Sequence, residues 1–204
     1  MATILEQSLH GELALAAYAN LRTGSIDTER LGAAGFTEEQ ARKFSEKYTV
    51  VAQFGDGDTY QIRDPITGEV VEVRTNYTGL SATIFKDKAG IHYLAIRGTE
   101  ITVGDLYTDL IDITLLGSAQ YQLQYQALKW KVAEWQASGV LLGNQQQQIT
   151  VTGHSLGGFL AAALTAEFSS DISHTCRYNT SRFYSRRVLP LATEKALHEA
   201  RRER

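Results

Sequence analysis

The 204-residue sequence is poor in cysteine and proline, with one Cys and two Pro. A single cysteine excludes an internal disulfide framework and the paired-cysteine clusters that bind metals. The sequence has no apolar run of about 18 residues, so we expect no transmembrane segment. Residues 1–6 lack the basic segment and long apolar stretch of a signal peptide. The chain is therefore expected either in the cytoplasm or exported through a C-terminal signal that is missing from it.

The sequence also has no excess of basic residues, since its net charge is −3. Its charge therefore gives no indication of a nucleic-acid partner. With 43% hydrophobic and 21% charged residues, the chain is long enough for one globular domain with a core. The charge is unevenly distributed. Residues 1–174 contain 12 Lys+Arg and 20 Asp+Glu, whereas residues 175–204 contain 8 and 3. The composition therefore predicts a domain over 1–174 and a basic tail of doubtful origin over 175–204.

The hydrophobic pattern alternates between helical and strand periodicity, which predicts an α/β fold. Helices are predicted over 3–20, 37–48, 117–138 and 159–168, and strands over 48–54, 59–63, 69–74, 81–85, 91–97 and 149–152. The strands at 81–85 and 91–97 are expected to pair as a hairpin. Gly55–Asp58 lacks the repeated acidic positions of an EF-hand, so a hairpin turn is preferred to a calcium loop there.

The most informative motif is Gly153–Gly158, which follows the β-branched strand at 149–152 and precedes an alanine-rich helix. A Gly-x-Ser-x-Gly turn between a strand and a helix forms a nucleophile elbow, with the serine hydroxyl exposed at its tip. The glycines are needed because a Cβ would clash where the strand and the helix nearly touch. Ser155 is therefore the candidate nucleophile. It lies at the N-terminus of a helix, whose unpaired N–H groups suit a developing oxyanion.

Two other interpretations of this motif are open. The pattern is short enough to occur by chance, and Ser155 would then be only the N-cap of an ordinary helix. His154 has the residue type of a catalytic base, but its side chain leaves the elbow in a different direction from that of Ser155. We therefore expect His154 to be a packing or hydrogen-bonding residue.

A second motif, Ile96-Arg97-Gly98-Thr99, ends the strand at 91–97 and precedes the long helix and the elbow. Because of these two motifs, residues 48–170 resemble the class 3 (fungal-type) lipase family. The resemblance implies an α/β-hydrolase fold, with a central sheet and flanking helices. It also implies hydrolysis of carboxylic esters of lipids, acylglycerols among them, at a lipid–water interface and without a metal or organic cofactor.

The same resemblance implies a role for each matched residue. Ser155 would be the nucleophile, and the backbone N–H groups of Leu156 and Thr99 would form the oxyanion hole. Asp109, in the segment after Thr99, would be structural. Residues 100–116 occupy the position of the family's lid, and their apolar side chains would either cover a lipid-binding cleft or belong to the core.

The base and acid that would activate Ser155 are not identified. In α/β-hydrolases both follow the nucleophile in the chain, the acid before the histidine. The candidates are Asp171, His174 and His198, with Glu194 and Glu199 as spare acids. The helix after the elbow is expected to carry the first two to the opposite end of the sheet, about 20 Å away. His198 lies in a charged stretch that reads as an exposed helix.

The charge break near residue 174 and the missing triad partners have one common explanation. The natural domain would be cut near this residue and followed by a frameshifted or alien terminus, which would leave the sheet incomplete at its C-terminal side. Three functions are therefore left open: an active lipase or esterase, a catalytically silent lipase fragment, and a non-enzymatic lipid-binding module.

Overall fold

The computed structural model describes residues 4–55, 57–63, 67–74, 79–98, 117–141 and 149–178. The helices are α1 (Ile4–Ala16), α2 (Thr28–Ala33), α3 (Glu38–Lys47), α4 (Gly117–Ala137) and α5 (Leu156–Glu167), and a 3₁₀ turn (Ala17–Ala19) follows α1. The strands are β1 (Tyr48–Phe54), β2 (Thr59–Arg63), β3 (Val70–Arg74), β4 (Ala82–Asp87), β5 (His92–Ile96), β6 (Ile149–His154) and β7 (Ile172–Tyr178). Every helix and strand predicted from the sequence is confirmed within one to three residues at most ends. Two elements of the structure, α2 and β7, are not among those predicted from the sequence.

Five strands form the central sheet in the order β1-β4-β5-β6-β7. The pairs β1–β4 and β4–β5 are antiparallel, which confirms the predicted hairpin, whereas β5–β6 and β6–β7 are parallel. Because β5, β6 and β7 are parallel, their carboxyl ends meet at one end of the sheet, which we call the elbow end. In open α/β sheets, ligands bind outside the carboxyl ends of the strands.

Helices cover both faces of this sheet, so the fold is a mixed α/β domain of three layers. On one face, α5 packs over β5, β6 and β7, and α4 packs against α5 and β2, with residues such as Leu128, Leu160 and Leu94 fully buried. On the other face, α1, α2 and α3 pack against Ala95 and Phe85. Leu94 and Ala95 are neighbours in β5 and belong to opposite faces, as the two-residue period of a strand requires.

Two helices on the second face, α2 and α3, begin with side-chain caps. Thr37 caps α3 in a complete capping box with Gln40, as predicted. Asp27 caps α2 by accepting hydrogen bonds from the backbone N–H groups of Glu29 and Arg30. This second cap precedes a helix of only six residues, which is too short to show helical periodicity in the sequence.

The turn at Gly55–Asp58 joins two different sheets. The Asp58 amide donates to the Gly55 carbonyl at 2.9 Å, and the Asp58 carboxylate accepts from the Gly55 amide at 2.8 Å. A turn is therefore present, but the predicted hairpin is wrong. β1 pairs with β4, whereas β2 pairs with β3 in a separate two-stranded sheet.

The predicted boundary at residue 174 falls inside β7. This strand continues to Tyr178, and Thr175–Tyr178 pair with β6 in the same register as His174. The sequence pattern predicts no strand after 149–152, so β7, including its half beyond residue 174, corrects that prediction. The tail beyond, residues 179–204, lies outside the described residues, and the division into a domain and a tail stays a prediction.

Candidate active site

The turn between β6 and α5 holds Ser155 in a backbone conformation that is rare for a residue with a side chain. Its φ is 54° and its ψ is −125°. In the described part of the chain, only Asn20 is another non-glycine residue with a positive φ. Such conformations cost about 1–3 kcal/mol and persist where the surrounding structure enforces them. The geometry matches the strained strand-to-helix turn that exposes a nucleophilic serine.

Two glycines allow the strand and the helix to approach each other at this turn. A Cβ added to Gly153 would lie 2.3 Å from the carbonyl oxygen of Gly157. A Cβ added to Gly157 would lie 2.2 Å from the carbonyl oxygen of Ile96, at the end of β5. Both obstacles are backbone atoms, which cannot rotate away as a side chain can. The predicted need for glycine at both flanks of the elbow is therefore confirmed.

Gly98 brings the second motif into contact with the elbow. A Cβ added to this residue would lie 2.6 Å from the carbonyl oxygen of His154 and 3.1 Å from the Cβ of Ser155. Gly98 is buried, and it is the last described residue before Thr99. The two motifs, which are 55 positions apart at Gly98 and Gly153, therefore meet at the elbow end of the sheet.

Ser155 occupies the N-cap position of α5 but makes no side-chain capping hydrogen bond. The Ser155 side chain therefore does not provide the cap on α5 that the alternative interpretation of this motif required. α5 begins at Leu156, so the backbone N–H of Leu156 is one of the four at a helix start that have no acceptor within the helix. The helix N-terminus adds a partial positive charge at this point. A negatively charged oxygen next to Ser155 would be stabilised by both.

The hydroxyl of Tyr18 joins the two motifs on the face covered by α1. The Gly98 amide donates a hydrogen bond to this hydroxyl at 3.2 Å, and His154 Nδ1 lies 3.1 Å from it. The rings of Tyr18 and His154 also meet edge to face, with centroids 5.9 Å apart. His154 is thus a packing and hydrogen-bonding residue, as predicted.

Arg97 is a buried cation directly before Gly98, with only 4% of its surface exposed. Its Nη1 donates to Asn20 Oδ1 at 3.2 Å, and its Nη2 donates to the Gly79 carbonyl at 3.3 Å. Its backbone N–H donates to the Ser81 carbonyl at 2.9 Å, ahead of β4. These bonds fix the end of β5 against two neighbouring segments.

The other described histidines lie away from Ser155. His92 begins β5, and His174 pairs with Thr150 in the first half of β7. Both positions are near the opposite end of the sheet from the elbow, as expected for His92 and His174. Asp171 precedes β7 at that same end, where its carbonyl accepts from the Ile149 amide at 2.9 Å.

His10 pairs with the single cysteine under α1. Its Nδ1 lies 2.9 Å from Cys176 Sγ. Burial lowers the pKa of His10, and burial likewise raises the pKa of the Cys176 thiol. Cys176 is in register with Thr152, whose hydroxyl donates to the His10 carbonyl. The His10–Cys176 pair therefore lies against β6 and β7, ahead of the elbow in the sheet. It does not place a base at Ser155.

Several predicted site residues lie outside the described residues. They are Thr99, the proposed second oxyanion donor; Asp109; the predicted lid at 100–116; and the triad candidates Glu194, His198 and Glu199. Their roles stay predictions. Within the described ranges, no group of three or more His, Cys, Asp or Glu side chains is arranged to hold a metal ion.

Sequence reasoning missed Tyr18 and Asn20 as residues of this site. Both follow α1, about 80 positions before the motif that they contact. Asn20 offers the one sequence signal for this turn, because asparagine tolerates the left-handed conformation better than most residues. Asn20 adopts that conformation here, with φ 46° and ψ 51°. No local pattern indicates where the Tyr18 hydroxyl goes.

No protein-family model matches this chain, and a search of curated proteins finds no significant match. Among the helices of the described part, none is both long enough and apolar enough to cross a membrane.

Proposed function

We propose that this chain is a serine ester hydrolase that forms an acyl-enzyme on Ser155. The strained backbone of Ser155 carries the proposal, because a φ of 54° on a residue with a side chain has no role in an ordinary strand-to-helix turn. The parallel strands β5–β7, the elbow after β6 and the Arg97-Gly98 motif after β5 together support an α/β-hydrolase fold of the class 3 lipase type.

In the proposed reaction, Ser155 Oγ attacks the ester carbonyl carbon and forms a C–O bond. The serine proton passes to a base, and the carbonyl oxygen becomes an oxyanion. The intermediate then collapses, the ester C–O bond breaks, and the alcohol leaves with that proton. Water repeats the sequence on the acyl-enzyme and releases the carboxylic acid and free Ser155.

The oxyanion would be held by the backbone N–H of Leu156, which is the first of α5, and by that of Thr99, which follows Gly98. Support for Leu156 comes from its place at the helix start. Support for Thr99 comes from Gly98, the residue before it, which lies against the Cβ of Ser155. Each such donor typically contributes about 3–4 kcal/mol to stabilisation of the transition state.

We propose lipid esters as the substrate class. The support is the resemblance of the two motifs to class 3 lipases and the apolar sequence between residues 100 and 116. A lipase would act at a lipid–water interface, and this chemistry needs no cofactor.

Hydrolysis of p-nitrophenyl esters tests the proposal. Wild-type protein and the Ser155→Ala variant are compared on esters from acetate to palmitate. We expect turnover by the wild type, a loss of about 10⁴–10⁶-fold in the variant, and rates that rise with acyl length. Turnover that survives Ser155→Ala would contradict the nucleophile. A preference for acetate would contradict the lipid substrate while leaving the esterase in place.

The alternative is a catalytically silent member of the same fold. One observation favours it, because the four histidines of the described residues are His10, His92, His154 and His174, and none is positioned as a base for Ser155. A folded wild type without turnover would support this alternative. Binding of lipid vesicles that is unaffected by Ser155→Ala, again without turnover, would support a lipid-binding module.

A further inference from the structure

We propose that Tyr18 is a positioning residue that fixes the Gly98 backbone against the Ser155 elbow. The proposal rests on the proposed function for its catalytic consequence. Its structural part, that the Tyr18 hydroxyl restrains the Gly98 amide, stands separately. Tyr18 reaches this point from the 3₁₀ turn after α1, and it belongs to neither of the motifs that define the site.

The hydroxyl of Tyr18 has a partner on each side of the elbow. It accepts from the Gly98 N–H at 3.2 Å and lies 3.1 Å from His154 Nδ1. A bond donated by the hydroxyl to Nδ1 places the imidazole hydrogen of His154 on Nε2. One side-chain atom thus connects the end of β5 to the residue that precedes the nucleophile.

A second contact connects the 3₁₀ turn that carries Tyr18 to the Arg97-Gly98 segment. Asn20, two residues after Tyr18, accepts from Arg97 Nη1 through its Oδ1 at 3.2 Å. Its own carbonyl accepts from Arg30 Nη1 at 2.8 Å, which anchors the turn to α2. The N-terminal segment therefore contacts both Arg97 and Gly98, and the turn that carries Tyr18 is itself held.

The position of Gly98 matters because it is bonded to Thr99, the proposed oxyanion donor. Backbone donors stabilise a transition state only when they are held at the right distance before the reaction begins. A shift of about 1 Å in such a group can cost about 10²-fold in rate. Packing against the His154 carbonyl limits Gly98 from one direction, and the Tyr18 hydroxyl restrains its N–H.

The Tyr18→Phe variant removes only the hydroxyl and tests this role. Hydrogen exchange of the Gly98 amide, measured by NMR, is expected to become about five- to tenfold faster, the change that corresponds to one hydrogen bond. We expect kcat to fall by a similar factor with little change in KM, since substrate binding is left intact. The matched control is Tyr93→Phe, which removes a hydroxyl bonded to Asp87 near the opposite end of β5. The control should leave Gly98 exchange and kcat unchanged.

Substitutions of His154 provide a second test through the other partner. His154→Asn keeps an acceptor close to the place of Nδ1, whereas His154→Leu removes it. We expect His154→Asn to resemble the wild type and His154→Leu to resemble Tyr18→Phe. Equal effects of the two substitutions would overturn the role of the hydroxyl bridge.

The outcomes separate this proposal from the proposed function. Unchanged Gly98 exchange in Tyr18→Phe overturns the positioning role, whatever the activity. Faster exchange with an unchanged kcat overturns its catalytic consequence. A wild type without turnover overturns the ester hydrolase, and the Gly98 exchange rates then still decide whether Tyr18 restrains this backbone.

Discussion

The backbone N–H of Ser155 donates a hydrogen bond to the carbonyl of Tyr178, with 2.9 Å between the nitrogen and the oxygen. This bond places the last residue of β7 beside the candidate nucleophile. α5 carries the chain away from the elbow end, and β7 brings it back. Asp171 and His174 therefore lie near the opposite end of the sheet, as predicted, whereas Tyr178 lies at the elbow end.

His174 is predicted not to be the base of Ser155. It pairs with Thr150 in the first half of β7, whereas Ser155 follows the last residue of β6. The His174 imidazole is therefore too far from Ser155 for the contact of about 3 Å that proton transfer requires. His174→Gln should retain the wild-type kcat/KM on a p-nitrophenyl ester. A loss that approaches that of Ser155→Ala would show that this placement of the base is wrong.

The backbone strain at Ser155 predicts a conflict between stability and activity. Glycine adopts positive φ without a steric cost, so Ser155→Gly should relieve about 1–3 kcal/mol of strain. The greater freedom of glycine in the unfolded chain offsets about 0.4–1 kcal/mol of this gain. We expect Ser155→Gly to be more stable than Ser155→Ala by about 1 kcal/mol in urea unfolding, with both inactive. Equal stabilities would mean that Ser155 is not strained.

Gly157 is predicted to tolerate no side chain. In Gly157→Ala, the new Cβ would lie 2.2 Å from the carbonyl oxygen of Ile96, so β5 and α5 would have to separate. We expect a loss of about 3 kcal/mol or more in the free energy of unfolding. Gly32→Ala is the matched control, because Gly32 is in α2 with no atom within 4 Å of its added Cβ. The control should gain about 0.5–1 kcal/mol, and similar effects at both glycines would contradict the close packing of the elbow.

Two half-buried histidines, His10 and His92, predict a loss of stability in mild acid. Burial lowers the pKa of His10 and of His92 below their ordinary value of 6.5. As the pH falls through about 6.5, the unfolded chain takes up these protons before the folded chain does, so the free energy of unfolding decreases. The decrease ends once the pH is below the folded pKa values. Urea midpoints between pH 7.5 and 5.5 should show it, and the His10→Gln/His92→Gln variant should flatten it. An equally steep decrease in the variant would show that titratable groups other than His10 and His92 cause the loss of stability.

Local patterns in the sequence were enough to predict most of the elements and the elbow. The β-branched run before Gly153 and the capping box at Thr37 act over a few residues, so their structures follow from the residues themselves. β7 was missed because Ile172–Tyr178 shows no clear alternation of apolar and polar residues. Its strand conformation depends on pairing with β6, which is a tertiary interaction.

The positioning contacts of the site could not be predicted for a related reason. Tyr18 and Gly98 are separated by 80 positions and meet because α1 packs across β5 and β6. A hydrogen bond between such distant residues leaves no periodic pattern in the chain. The glycine at 98, by contrast, had a visible place in a motif, and the structure gives its physical reason in the close approach to Ser155.

Covalent labelling of Ser155 by a fluorophosphonate tests the central claim most directly. This reagent phosphonylates an activated serine and displaces fluoride, and intact-protein mass spectrometry followed by peptide mapping locates the adduct. We predict one adduct on the wild type, at Ser155, and none on Ser155→Ala. A folded wild type that takes up no reagent, or an adduct that persists in Ser155→Ala, would contradict the assignment of Ser155 as the nucleophile.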